Sequence, residues 1–224
     1  MRVPAVHPTS RIRGRADVAE SRWRRLRFSL YSPVYDILVG FNRVRRRSME
    51  WAELQPGDRV LIPGAGPGRD LDFLPPGVEV VTGDIAGGML RQLRSRARQV
   101  ADRTGMEIQV QEMDAQATGL PDRSFDVVFL HLVVAVVGDG RACMEESVRV
   151  LRPGGRLVVF DKFAPEGRRS SLLRRLVNPI SQILFTSLDR RLGELADGLP
   201  LTLVRREPAA LGGFMELALF RRAG

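Results

Sequence analysis

Short apolar runs alternate along residues 59–163 with stretches whose apolar positions recur every three or four residues. Runs of the first kind are typical of buried strands, and the wider spacing is typical of amphipathic helices. The predicted strands cover residues 59–63, 78–83, 106–113, 124–131 and 156–163. Helices are predicted at residues 70–74, 87–103 and 139–151. This alternation of strands and helices predicts a parallel, doubly wound sheet.

The C-terminal part of the chain follows a different pattern. Residues 168–197 have helical spacing that Pro179 interrupts. Residues 201–206 and 214–220 alternate apolar and polar positions, as the two strands of an antiparallel pair do. The predicted fold class is therefore α/β: a Rossmann-like, doubly wound, seven-stranded sheet that is mostly parallel, with a C-terminal antiparallel hairpin and helices on both faces.

A glycine-rich turn interrupts the pattern directly after the first predicted strand. Gly64, Gly66 and Gly68 give the backbone the freedom to reverse there and let a ligand lie against the main chain. Asp84 ends the second predicted strand, where a nucleotide-binding fold places the acid that accepts hydrogen bonds from ribose hydroxyls. In the dinucleotide fingerprint the third glycine comes one residue later. The spacing here therefore predicts a different adenosine-containing ligand.

Ligands of such sheets bind outside the carboxyl ends of the strands. Five residues of different predicted strands and loops lie at or beside those ends. They are Gly64, Asp84, Asp114, His131 and Lys162. We expect these residues to face one crevice.

The composition adds limits on class and compartment. With 224 residues, of which 44% are hydrophobic and 27% charged, the chain suits one α/β domain. It has no apolar run near the ~20 residues of a membrane span, and residues 1–30 have no continuous apolar stretch of a signal peptide. Cys143 is the single cysteine, which excludes an internal disulfide and suits a reducing cytoplasm, and we expect it to serve packing. No metal site is expected, because the only histidines are His7 and His131.

The net charge of +9 is concentrated near the N-terminus. Residues 1–50 contain twelve arginines and four acidic side chains, and residues 15–30 have the pattern of a basic amphipathic helix. Such a helix either lies on an anionic membrane surface or packs on the domain with its arginines in water. A phosphate-binding surface for RNA is a third interpretation. Nucleic acid is the less favoured partner, because only 6% of the residues are aromatic and the sequence contains no recognisable RNA-binding module.

Five segments together make the chain resemble a class I S-adenosylmethionine-dependent methyltransferase over roughly residues 31–224. They are residues 60–68, 81–90, 113–120, 125–128 and 150–157. The resemblance implies a methyltransferase domain over residues 55–224, with a helical insertion at about 167–198. Residues 1–54 would form a basic N-terminal tail and helical cap.

The resemblance implies S-adenosylmethionine as the cofactor. Its implied binding residues are Pro63, Gly64, Ala65, Gly66, Gly68, Asp84, Ile85, Met89, Asp114, Ala115, Leu130 and His131. Asp84 would hold the ribose hydroxyls and Asp114 the exocyclic amine of adenine. In one respect the chain departs from the family: Ile62 stands where an acidic residue usually binds the methionine amino group. Asp70 or backbone carbonyl groups are the candidates to replace that acid.

Within the family, the segment 31–36 and the basic helix before it resemble the branch that methylates ubiquinone and menaquinone precursors and bacterial phosphatidylethanolamine. The predicted function is methyl transfer, by in-line displacement, to a small and amphipathic acceptor such as a lipid headgroup or a quinone. His131, Tyr35 and Tyr31 are the candidate catalytic residues, because an amine acceptor must lose a proton. Each of them could instead serve packing alone.

Two alternatives remain open at this point. One is a methyltransferase that acts on a polar metabolite or RNA, and the other is a protein that binds S-adenosylmethionine without turnover. The expected location is the cytoplasm, with peripheral association at the inner face of the membrane as the further hypothesis. The sequence leaves the oligomeric state undetermined.

Overall fold

A computed structural model describes residues 41–163, 190–210 and 215–224. Several sequence predictions fall outside these residues, namely Tyr31, Tyr35, the basic helix at 15–30 and most of the insertion at 167–198. Among the described residues, no helix combines the length and the apolar content needed to cross a membrane.

Seven strands of the described chain form one sheet in the order β3-β2-β1-β4-β5-β7-β6. They are β1 (Arg59–Pro63), β2 (Glu79–Asp84), β3 (Glu107–Glu112), β4 (Phe125–His131), β5 (Leu151–Lys162), β6 (Leu201–Ala210) and β7 (Met215–Arg222). Strands β1 to β5 pair in parallel, while β7 runs antiparallel to both β5 and β6. The predicted fold class is confirmed.

Four α-helices and one 3-10 helix accompany the sheet in the described residues. They are α1 (Asn42–Ala52), the 3-10 helix (Arg69–Phe73), α2 (Gly87–Thr104), α3 (Gly140–Val150) and α4 (Leu192–Ala196). Asp139 begins α3, because its side chain accepts hydrogen bonds from the backbone N–H groups of Arg141 and Ala142. Gly105 ends α2 in a left-handed conformation.

Strand β4 lies at the centre of the core, since each of its residues is buried. Its side chains alternate between two apolar clusters, one on each face of the sheet. Val127 and Phe129 pack on the side of α1 and α2, and Val128 and Leu130 pack on the side of α3. The nearly continuous apolar run of β4 therefore reflects burial on both faces.

Helix α1 contributes to the apolar cluster that contains Val127 and Phe129. Its Val44, Met49 and Trp51 are buried, and Phe41 just before it meets the ring of Phe160 in β5 edge-on at 5.1 Å between centroids. Residues 41–52 thus pack directly on the sheet. The division of the chain at residue 54 stays a prediction.

Strands β5 and β6 extend several residues beyond their predicted ends. Strand β5 begins at Leu151 and not at Arg156, because Leu151 pairs with Phe125 ahead of an irregularity in the β4–β5 register. Strand β6 continues to Ala210 through Pro208. A proline is tolerated there because β6 is the last strand of the sheet and its outer side needs no ladder hydrogen bond.

Candidate active site

The glycine turn follows β1 directly. Gly64, Gly66 and Gly68 have φ angles of +65°, +56° and +81°, in the region that L side chains rarely adopt. A Cβ atom on Gly64 would lie 2.4 Å from Cγ2 of Val133, so this glycine permits close packing between the turn and the segment after β4. A Cβ on Gly66 would meet no atom of the described residues within 4 Å, so that part of the chain leaves the main chain of the turn open at this point.

Asp84, the last residue of β2, fastens this turn. Its Oδ2 accepts a hydrogen bond from the backbone N–H of Gly66 at 2.9 Å, and its Oδ1 accepts one from Ala86 at 2.8 Å. Burial raises the pKa of the Asp84 carboxyl above its ordinary value, against the lowering effect of these backbone hydrogen bonds. Asp84 therefore holds the loops after β1 and β2 together, a role that the sequence analysis did not foresee.

The surroundings of Asp84 fit the ribose of an adenosine cofactor. A Cβ on Gly87, at the start of α2, would also meet none of the residues that the structure describes within 4 Å, so these residues leave the backbone open on both sides of the carboxylate. Each carboxylate oxygen has a second lone pair beyond the backbone hydrogen bond it accepts. Ile85 and Met89 lie partly buried in the same loop and helix start.

Asp114 and Ala115 lie at the neighbouring strand end, just after β3. The Oδ1 atom of Asp114 accepts hydrogen bonds from the backbone and the side chain of Gln116, at 2.9 and 3.0 Å. The Cβ of Ala115 is 4.0 Å from the position that a Cβ on Gly64 would take. The structure thus brings this predicted pair beside the glycine turn.

His131 and Leu130 end β4, the strand next to β1. The side chain of Leu130 is fully buried in the apolar cluster on the α3 side. His131 points to the opposite face, where its ring meets Phe129 and Phe160 edge-on, at 5.4 and 6.0 Å between centroids. Leu132 follows with a φ of +59° and donates its backbone N–H to the carbonyl of Phe160 at 2.8 Å.

A buried charge cluster surrounds the ring of His131. Nδ1 of His131 lies 2.7 Å from Oδ1 of Asp70, and Nη1 of Arg45 lies 2.5 Å from the same oxygen. We call these three residues the Arg45–Asp70–His131 cluster. Asp70 was a sequence candidate for binding the methionine amino group, whereas its carboxylate here pairs with Arg45 and His131.

The electrostatics of the cluster follow from these contacts. Burial alone would raise the pKa of Asp70, but the charge of Arg45, the charge of a protonated His131 and the hydrogen bonds from both residues hold that pKa well below its usual range. Asp70 is therefore an ionised carboxylate, which can only accept hydrogen bonds. His131 Nδ1 must then carry a hydrogen, and its Nε2 is buried without a hydrogen-bond partner among the described residues.

The segment after β4 is fixed by two further residues that sequence reasoning missed. Asp161 in β5 accepts hydrogen bonds from the backbone N–H groups of Ala135 and Lys162, at 2.9 and 2.8 Å, and burial raises its pKa. Arg190 donates to the carbonyls of Val137 and Gly138, at 2.7 and 2.8 Å. No local sequence signal marks either contact, because each joins distant parts of the chain.

An open glycine turn, an acid at the end of β2 and an acid after β3 define an α/β domain that binds an adenosine cofactor. The final antiparallel hairpin distinguishes its sheet from an all-parallel dinucleotide-binding sheet.

Comparisons with known proteins identify the class. Residues 61–159 match the family model described as a methyltransferase domain. The chain is 37% identical over 144 residues to a demethylmenaquinone methyltransferase of Thermus thermophilus, which is 60% of this chain and 63% of that relative. It is 28% identical over 193 residues to a phosphatidylethanolamine N-methyltransferase of Cereibacter sphaeroides, which is 84% of this chain and 93% of that protein. The chain therefore contains a methyltransferase domain, and S-adenosylmethionine is the cofactor that such a domain implies.

A solved structure supports the fold. The YcgJ protein from Bacillus subtilis superimposes with a TM-score of 0.65 at 19% identity, over 81% of this chain and 98% of that protein. The match to the Thermus relative spans slightly less than two thirds of that protein's length.

Proposed function

We propose that this protein transfers a methyl group from S-adenosylmethionine to a small, amphipathic acceptor, either a lipid headgroup or a quinone. The observation that carries the proposal is the convergence of three features at the ends of neighbouring strands. These features are the open main chain at Gly66, the carboxylate of Asp84 and the buried imidazole of His131. Together they provide a cofactor cradle with a proton acceptor at the adjacent strand.

The names of the relatives support the acceptor class. One is a demethylmenaquinone methyltransferase and the other a phosphatidylethanolamine N-methyltransferase. Both named acceptors join a polar reacting end to a long apolar part. An enzyme that meets such acceptors works at a membrane surface, and the basic helical pattern of residues 15–30 would bring it to the inner face of an anionic membrane.

The chemistry divides between cofactor and chain. The cofactor supplies a sulfonium methyl group that reacts by in-line displacement. The chain supplies position, because the glycine turn and Asp84 fix the cofactor and the buried strand ends exclude water. His131 would accept the proton of the acceptor, with Tyr31 and Tyr35 as further candidates. Pro63, Ala65, Ile85, Met89, Asp114 and Ala115 complete the proposed cofactor contacts.

A labelling experiment tests the acceptor class. The purified chain is incubated with methyl-labelled S-adenosylmethionine and, separately, with phosphatidylethanolamine vesicles, reduced demethylmenaquinone in vesicles and total RNA. We expect label in the organic phase with one of the first two. Label confined to the aqueous phase would contradict the lipid and quinone classes, and nuclease treatment would then separate RNA from polar metabolites.

A matched pair of variants links that activity to the site. Asp84→Asn removes the charge that holds the cradle, and we expect it to lower the label at least tenfold. Asp122→Asn makes the same chemical change in a side chain that is 72% exposed and pairs with Arg149, and it should leave the label unchanged. Equal effects of the two variants would contradict the assignment of the site. Cofactor binding by calorimetry without product in any arm would favour a binding protein without turnover, the alternative that Ile62 raises.

The membrane hypothesis has its own test. Replacement of Arg22, Arg24, Arg25 and Arg27 by glutamine removes four charges from the basic helical pattern. We expect binding to vesicles of anionic phospholipid to weaken, and the salt dependence of binding to fall with it. Unchanged binding would contradict a membrane role for residues 15–30.

A further inference from the structure

The Arg45–Asp70–His131 cluster joins three separate elements at the carboxyl end of β4. Arg45 comes from α1, Asp70 from the 3-10 helix and His131 from β4. Their exposed fractions are 6%, 2% and 6%. Buried charged groups occur in proteins when they are paired, and the Arg45–Asp70 pair satisfies that condition without a histidine. The third member therefore calls for a separate explanation.

The hydrogen bonds determine which ring nitrogen of His131 carries the hydrogen. Since the ionised Asp70 can only accept, the neutral imidazole has its hydrogen on Nδ1 and its lone pair on Nε2. Nε2 is buried and has no hydrogen-bond partner in residues 41–163, 190–210 and 215–224. The rings of Phe129 and Phe160 flank the imidazole and carry no polar atom that could serve. A buried polar atom without a partner in the described part of the chain calls for a ligand or a functional role.

Arg45 changes what Asp70 does to the histidine. A buried carboxylate alone favours the protonated, cationic form of a neighbouring imidazole. Because Arg45 also pairs with Asp70, the carboxylate has a second cationic partner besides the ring that it orients through Nδ1. A neutral imidazole with a lone pair on Nε2 is able to accept a proton, and Asp70 stabilises the imidazolium that then forms.

We propose that Arg45 and Asp70 are positioning residues that keep Nε2 of His131 free to take a proton from the methyl acceptor. The acceptor is then a nucleophile whose reacting heteroatom carries hydrogen, that is, an amine or a hydroxyl. The inference rests on the proposed function and narrows it. The acceptor heteroatom forms its bond to the methyl carbon while the bond from that carbon to sulfur breaks and leaves its electron pair on sulfur. The proton of the heteroatom passes to Nε2.

The hydrogen position on His131 can be measured in the wild-type protein without any methyl transfer. The chain is labelled with ¹⁵N-histidine, and a His7→Gln variant assigns the two signals, because His7 and His131 are the only histidines. We expect the neutral form of His131 to carry its hydrogen on Nδ1. A hydrogen on Nε2 in the neutral form would overturn the proposal.

Asp70→Asn tests the effect on catalysis. Arg45 and Nδ1 of His131 contact the same oxygen of Asp70, so an amide oxygen there can still accept from both, while the negative charge that stabilises the imidazolium is lost. We expect kcat to fall about 100-fold or more, with a dissociation constant for S-adenosylmethionine within about twofold of wild type. Asp72→Asn is the matched control, since Asp72 lies in the same 3-10 helix, is one-third exposed and pairs with Arg96 and Arg103. It should change neither quantity.

The remaining outcomes separate the two proposals. An unchanged kcat in Asp70→Asn overturns the positioning role, and so does a loss of kcat that only parallels a loss of cofactor binding. If Asp70→Asn does not fold, the wild-type ¹⁵N signals decide. Label on a ring carbon of the quinone, and not on nitrogen or oxygen, overturns the acceptor class. A wild-type chain that methylates nothing contradicts the proposed function, whereas the ¹⁵N signals still test the positioning of His131.

Discussion

Gly66→Ala separates cofactor binding from fold stability. Gly66 has a φ of +56°, and a Cβ added there meets none of the described residues within 4 Å. The variant therefore loses stability through backbone strain and not through a steric clash. The new methyl group would project into the open space beside Asp84, whose Oδ2 accepts the Gly66 N–H. In that place it would displace the cofactor that the family binds.

The expected loss of stability can be worked from the backbone. A non-glycine residue in the left-handed region costs roughly 1–2 kcal/mol, and the lower entropy of the unfolded chain offsets about 0.4–1 kcal/mol of this. The net loss is about 1 kcal/mol, which corresponds to a fall in Tm of roughly 2–4 °C for a chain of this size.

Gly105→Ala is the matched control. Gly105 has a φ of +72°, and a Cβ there also meets nothing within 4 Å. It follows α2, whose first turn lies at the carboxyl edge of the sheet, so its own position is at the opposite edge. We expect the same loss of Tm in both variants.

Thermal unfolding with and without S-adenosylmethionine provides the assay. At 100 times its dissociation constant, the cofactor should stabilise the wild-type protein and Gly105→Ala by about 2.7 kcal/mol. A tenfold weaker affinity in Gly66→Ala removes about 1.4 kcal/mol of that gain. The reasoning is refuted if the cofactor stabilises the two variants equally, because Gly66 would then lie outside the cofactor site.

Three further predictions concern the rest of the domain. Burial raises the pKa of the Cys143 thiol to about 12, so iodoacetamide should modify this thiol only in urea. Rapid modification of the folded protein, measured by mass spectrometry, would contradict the burial of Cys143. Folding lowers the pKa of Asp70 from the ~3.9 of an unfolded chain. The ionised Asp70 carboxylate therefore stabilises the fold above pH ~3.9, and this stabilisation is lost as the pH falls below that value. The urea midpoints of wild type and Asp70→Asn should therefore converge on acidification, and a constant difference would argue against the ionised pair. A Cβ on Gly83 would lie 2.2 Å from the backbone oxygen of Gln111. Gly83→Ala should therefore lower the free energy of unfolding by about 1–3 kcal/mol and lower the urea midpoint. An unchanged midpoint would show that β2 and β3 can separate there.

The strands near the middle of the sheet were predictable because their apolar runs have clear limits. Strand β1 extends over Arg59–Pro63, as predicted, since a charged residue precedes its apolar run and a glycine turn follows. Strand β5 began five residues earlier than predicted. The segment Pro153–Gly155 has the composition of a turn, and only the pairing of Leu151 with Phe125 makes Leu151 part of the strand.

The candidate site was predictable where function depends on local spacing. The glycine turn and Asp84 are such features, because they follow strands whose ends the sequence marks. The Arg45–Asp70–His131 cluster is different, since its contacts join residues 25 and 61 positions apart. Arg45 also lies in an arginine-rich run that indicates a solvated helix face. Its position one helical turn before Met49, on the buried side of α1, was the available signal.

The left-handed backbone at Leu132 bears on how this protein can be made more stable. Leu132 holds a φ of +59° directly after His131, and leucine at such an angle costs roughly 1–2 kcal/mol relative to a relaxed backbone. A glycine there would relieve that strain, but it would remove a side chain that packs against the apolar cluster of Phe129 and Phe160. It would also give the exit from β4 a range of conformations that leucine forbids. The variant therefore exchanges backbone strain for lost packing, and any gain in melting temperature would come with a less firmly held imidazole. Thermal tolerance and turnover should therefore be screened together at this position.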